Sequence, residues 1–145
     1  MPGRYELPLH AAAAFRKMTP IVLVPFVKDL LLGSRIEALA SQGFQIQKPD
    51  WGNPAGGIDP ERSVIIVDCN LPSPDPKGVI SACRALYPRI PILGFVSHVD
   101  AQSKRQAEEA GADAVYPRSQ FFGQTAEMIQ RHFAVKTGEG RDDSV

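Results

Sequence analysis

The stretch SVIIVDCNLPSPD, residues 63–75, decides the fold. Its four β-branched residues at 64–67 run unbroken into Asp68, the pattern of a short strand buried on both faces of a parallel sheet. Asn70, Pro72 and Pro74 then oppose any continuation, so a carboxylate is presented where a strand stops and a loop begins. The following PKGVISACRALYP reads as a helix opened near Pro76 and ended before Pro88.

The same alternation extends in both directions. Upstream, IVLV at 21–24 is a wholly apolar strand ended at Pro25, and Asp29 stands as N-cap before LLLGSRIEALASQG. There Leu31, Ile36, Leu39 and Ala40 make a helical stripe and Gly43 supplies the stop. FQIQK at 44–48 alternates as a second, more exposed strand. The prolines and glycines of residues 49–62 oppose a regular helix, so this crossover is expected to be a loop. Downstream, IPILGFV at 90–96 is the fourth strand, Ser97 or Asp100 caps a helix reaching Ala110, ADAVY at 112–116 is the fifth strand, and FGQTAEMIQRHFAV at 122–135 is the last helix. Strand and helix in alternation specify an α/β domain with a parallel sheet and right-handed crossovers. The working rim of such a sheet lies at the carboxyl ends of its strands. Here that rim is Pro25 and Phe26, Asp68 to Pro72, Val96 to His98, and Pro117 to Ser119.

Composition narrows the function. The 145 residues suit one domain, read as an arm at 1–18, a folded body at 19–135 and a flexible tail at 136–145. Sixteen basic and sixteen acidic residues cancel, which removes any general attraction to nucleic acid or an anionic membrane. No apolar run approaches the roughly 18 residues of a membrane span, and the first residues lack a secretory pattern. Cys69 and Cys83 form no CxxC, which suits a reducing compartment, so the cytoplasm is expected.

With the elements in order, the chain resembles the receiver domain of two-component response regulators. The resemblance is carried by D-x-x-x-P from Asp68 to Pro72, by Ile90 and Pro91 opening strand four, and by AGADAVYPR from Ala110 to Arg118. More narrowly, LGFVSHVD with PRSQFF is similar to a group of bacterial stand-alone receiver-like proteins. The resemblance implies a flavodoxin-like, doubly wound five-stranded sheet in the order 2-1-3-4-5, with the loop at 49–62 in place of the second helix. It also implies signal transduction in a two-component system.

Receivers move a phosphoryl group onto the aspartate after strand three with the help of Mg²⁺, which needs several oxygen ligands. By resemblance, Asp68 is the phospho-acceptor and Asn70 the residue whose carbonyl would face the metal. The acid pair at the end of strand one is replaced by Pro25 and Phe26. The hydroxyl position after strand four falls on Val96, with Ser97 next to it, unless a bulge at Gly94 shifts the register. The phosphate-binding lysine falls on Arg118, and the proline after it on Ser119. The switch aromatic aligns with Val115, beside Tyr116. These departures imply a degenerate receiver, without cofactor and not an enzyme.

Each residue also has a plainer reading. Asp68 can pair with Arg118 rather than take phosphate. Asp29 is a helix cap rather than a replacement metal ligand. His98 has no His or Cys at ligand spacing and reads as a loop residue, with pH-sensitive contact as its sharper role. Phe122 is expected to anchor the last helix, while Trp51, Tyr116 and Phe121 are the candidates for a contact surface. Two functions follow. One is a regulatory module that docks a protein partner, a second copy included. The other is a phospho-accepting or small-anion-binding module using Asp68, Ser97 and Arg118, and only this one would take Mg²⁺.

Overall fold

The structure is a computed structural model that describes residues 19–97 and 100–137. The expected arm at 1–18, His98, and the tail from 138 onward lie outside the described residues. The strands are β1 (Val22–Phe26), β2 (Gln45–Ile46), β3 (Ser63–Asp68), β4 (Ile92–Val96) and β5 (Ala114–Pro117). All pair in parallel, in the order β2-β1-β3-β4-β5. The helices are α1 (Leu30–Glu37), continued as a 3₁₀ turn over Ala38–Gln42, then α2 (Pro76–Leu86), α3 (Ala101–Ala110), α4 (Arg118–Gly123) and α5 (Thr125–Thr137).

Two apolar layers enclose the sheet because strand side chains alternate between its faces. On one face Val22, Val24, Phe26, Ile65, Val67 and Ile92 pack with residues of α2 and α3. On the other, Leu23, Val64, Ile66, Leu93 and Phe95 pack with α1, α4 and α5. β3 lies between β1 and β4 and is buried at every residue, which accounts for its unbroken β-branched run.

The segment at 49–62 contains no helix, as its prolines and glycines require. It still covers the sheet. Ala55 and Ile58 are buried, the Ala55 carbonyl accepts from the Tyr87 hydroxyl at 2.6 Å, and the Gly57 carbonyl accepts from Gln47 Nε2 at 2.9 Å.

Several boundaries differ from expectation for identifiable reasons. β1 runs through Pro25 rather than ending there. Ile21 and Leu23 carbonyls accept from Gln45 and Gln47, so alternate residues face β2, and Pro25 falls on that side beyond the end of β2, where no ladder donor is needed. Of the expected stripe Ile36 and Leu39 are buried, while Leu31 is 72% exposed and Ala40 is exposed, and Leu32 takes the inward position in the first turn. α5 continues to Thr137, past the expected end at 135. Most consequentially, the helix expected at 122–135 is two helices, and Phe122 belongs to the first of them. α4 starts directly after β5 and rotates Phe121 into the core at 0% exposure, leaving Phe122 half-buried beneath Arg35. Phe121 is therefore a core residue and not a contact-surface candidate, while Phe122 packs partly buried against the same core.

Candidate functional site

The rim is built from the ends of β3, β4 and β5. Asp68 closes β3 opposite Phe95 of β4, whose ring stacks against Phe121 at 5.3 Å and Phe122 at 5.1 Å. Asp68 is 6% exposed, and its carboxyl accepts the Asn70 N–H at 2.9 Å. Burial raises its pKa above the ordinary carboxylate value. The Asn70 N–H and the positive charge of Arg118 oppose that rise, and the charge of Asp29 adds to it.

Arg118, at the start of α4, does not form the expected ion pair with Asp68. Its charge is felt by Asp68, yet among the described residues no carboxylate lies within 4.0 Å of it, and its buried Nε has no hydrogen-bond partner. Asp29 caps α1 by accepting from Leu32 N–H at 2.9 Å, as its position before an apolar run implies.

Asn70 joins the ends of β3 and β4 to the start of α3. Its Oδ1 accepts from Ser97 N–H at 2.8 Å, and its Nδ2 donates to Asp100 Oδ2 at 2.7 Å. Asp100 in turn caps α3, accepting from Ser103 N–H at 2.9 Å and Ser103 Oγ at 2.7 Å. The hydrogen bonds from Ser103 and Asn70 hold the Asp100 carboxyl below its ordinary pKa. The sequence offered Asp100 as a cap. Its bond to Asn70 spans thirty positions and has no local signal.

No bulge occurs at Gly94. β3 and β4 stay in register from Ile65–Ile92 to Asp68–Phe95, so the hydroxyl position remains Val96, buried at 3% exposure. Gly94 is needed for space, since a Cβ there would lie 2.6 Å from Cys69 Sγ. Ser97 meets Asn70 through its backbone N–H, and Ser119 is exposed. A cavity of about 270 Å³ beside the loop is lined by Asn70, Lys77, Ser103 and Gln106 among others, but by none of Asp68, Ser97 and Arg118. Cys69, buried next to Asp68, has its thiol pushed up to about 12 by burial and then by the Asp68 charge, so a thiolate is not available near neutral pH.

At the end of β1, Phe26 is fully buried, with its ring edge-on to Trp51 at 5.4 Å. Trp51 is thereby a half-buried cover on the core, with Lys28 Nζ 4.8 Å from its ring centroid, and not the exposed anchor expected of it. Tyr116 is also engaged internally: its hydroxyl lies 2.7 Å from His132 Nε2, a ring whose pKa burial lowers.

No family model matches the sequence, and no curated protein matches it. Solved structures do match in shape. FixJ-N aligns with a TM-score of 0.67 at 17% identity, over 80% of this chain and 95% of its own. A CheY-like response regulator receiver domain protein from Methanospirillum hungatei aligns with a TM-score of 0.67 at 15% identity, over 83% and 98%. The receiver domain of a sensor histidine kinase from Pseudomonas aeruginosa, with a magnesium ion in its active-site cleft, aligns with a TM-score of 0.65 at 21% identity, over 79% and 98%. The chain has the receiver-domain fold. Its strand order is the flavodoxin-like order shared by CheY-like receivers. Among the described residues no helix is long and apolar enough to cross a membrane.

Proposed function

We propose that the chain is a receiver-like signalling module that acts by docking a protein partner, without Mg²⁺-dependent phosphotransfer to Asp68. One observation carries the reading: β1 brings Pro25 and Phe26 to the rim where a hard cation would need carboxylates. Phe26 carries no oxygen and is committed to the core against Trp51, and Asp29, whose charge reaches Asp68, uses its Oδ1 to cap α1. Among the described residues no three His, Cys, Asp or Glu side chains converge as a metal group. Asp68 and the Asn70 carbonyl alone fit Mg²⁺ poorly, and no step is assigned to the ion. In this reading the protein is cytoplasmic, not an enzyme, and requires no cofactor. Its partner is another protein or a second copy of itself.

The alternative, an anion held by Asp68, Ser97 and Arg118, has the unpartnered Arg118 Nε in its favour. Against it stand the buried Val96 at the hydroxyl position and the bond that commits Ser97 N–H to Asn70. Incubation with acetyl phosphate and Mg²⁺ followed by intact-mass measurement separates the two. Unmodified protein is expected, whereas a phosphate adduct lost on Asp68→Ala would replace the proposal with the alternative.

A further inference from the structure

We propose that the side-chain amide of Asn70 is a permanent tie that fixes α3 to the loop after β3, so that α3 keeps one arrangement without any modification of Asp68. The inference rests on the reading that Asp68 does not take phosphate, and it gives Asn70 a task separate from lending a carbonyl.

The amide is used at both ends. Oδ1 takes the Ser97 N–H at the end of β4, and Nδ2 gives a hydrogen to Asp100 at the start of α3. Chemistry fixes which end is which, because a reversed amide would set N–H against N–H and carbonyl oxygen against carboxylate. Asp100 then holds the first turn of α3 through Ser103, and its own N–H donates to the Ser97 carbonyl at 3.0 Å. On the other side, the Asn70 N–H is held by Asp68. A continuous chain of hydrogen bonds therefore joins Asp68 to α3 through Asn70, and the Asn70–Asp100 bond is charge-assisted. Because Asp100 already accepts from both Ser103 and Asn70, a variant that breaks one arm of the tie should leave the other readable.

Amide hydrogen exchange followed by NMR on the full chain tests this. In Asn70→Ala the Ser97 amide should exchange about 10-fold faster, and the Ser103 amide measurably faster, while Ile65 in β3 changes less than about 2-fold. Asn70→Asp keeps an acceptor for Ser97 but places two carboxylates together. There the Ser103 amide should accelerate while Ser97 stays within about 3-fold of the wild type. Unchanged Ser97 exchange in Asn70→Ala would overturn the tie. Equal acceleration at Ser97, Ser103 and Ile65 in both variants would also overturn it, since it would report general destabilisation. The measurement uses neither Mg²⁺ nor a phosphodonor, so a failed tie and a failed phosphotransfer reading register in different experiments.

Discussion

Arg84 and Arg118 stand at opposite ends of the same sheet. Near the starts of β4 and β5, Arg84 Nε donates to the Gly111 carbonyl at 2.9 Å, and Nη1 to the carbonyls of Pro88 at 2.9 Å and Ile90 at 2.8 Å, with a longer bond to Tyr87. Its Nη2 meets Asp113 Oδ2 at 2.8 Å, and that oxygen also accepts from Ile92 N–H at 2.8 Å. The backbone approaches closely: Gly111 has φ +123°, and a Cβ there would lie 2.9 Å from Arg84 Cγ. At the other end, Arg118 leaves a buried Nε unpaired beside a carboxyl whose pKa burial raises. The first arginine closes the ends of α2, α3, β4 and β5 together. The second leaves a buried donor unsatisfied, which internal packing does not account for.

The largest effect should follow loss of the closed hub. Arg84→Ala removes the donor shared by several carbonyls and leaves Asp113 only the Ile92 N–H, so stability should fall by about 3 kcal/mol and the melting temperature by roughly 10 °C. A loss no greater than that of an exposed arginine would break the comparison. Asp68→Asn should act in the other direction. A raised native pKa means that the folded state holds this proton more tightly than the unfolded chain, so the ionised carboxyl opposes folding as pH rises. At pH 7 the variant should be more stable by about 1 kcal/mol or less, because the amide still accepts from Asn70. That gain should shrink as pH falls through the raised native pKa toward the ordinary aspartate value, which paired thermal melts across pH would detect. A lower melting temperature at pH 7 would point to an Asp68–Arg118 attraction stronger than the burial of the charge. The smallest effect belongs to Arg118→Met, which keeps the stem and removes the charge. Denaturant unfolding should shift by less than about 0.5 kcal/mol. A larger loss would show that Arg118 is a structural partner after all.

The alternation of elements was legible because each strand announces itself: the apolar run at 64–67 and its stop at Asn70 describe a buried parallel strand almost without ambiguity. The helix-free crossover was legible for the opposite reason, since its prolines and glycines exclude one structure outright. PRSQFF failed because a six-residue helix leaves no room for periodicity, and α4 has no side-chain cap to mark its start. The surroundings of Trp51 and Tyr116 were hidden by the same kind of distance that hides Asn70–Asp100 and Arg84–Asp113, pairs separated by thirty and twenty-nine positions. Sequence spacing places such residues at an end of the sheet. Which of them meet there depends on tertiary packing.

The central claim is that the carboxyl rim does not gather the oxygens that Mg²⁺ requires, and a Mg²⁺ titration followed by NMR tests it most directly. Millimolar Mg²⁺ should leave the amide signals of Asp68, Asn70 and Ser97 in place and the melting temperature unchanged, because an ion that does not bind the folded state cannot stabilise it. Saturable shifts at those amides, accompanied by a rise in melting temperature and abolished by Asp68→Ala, would contradict the account.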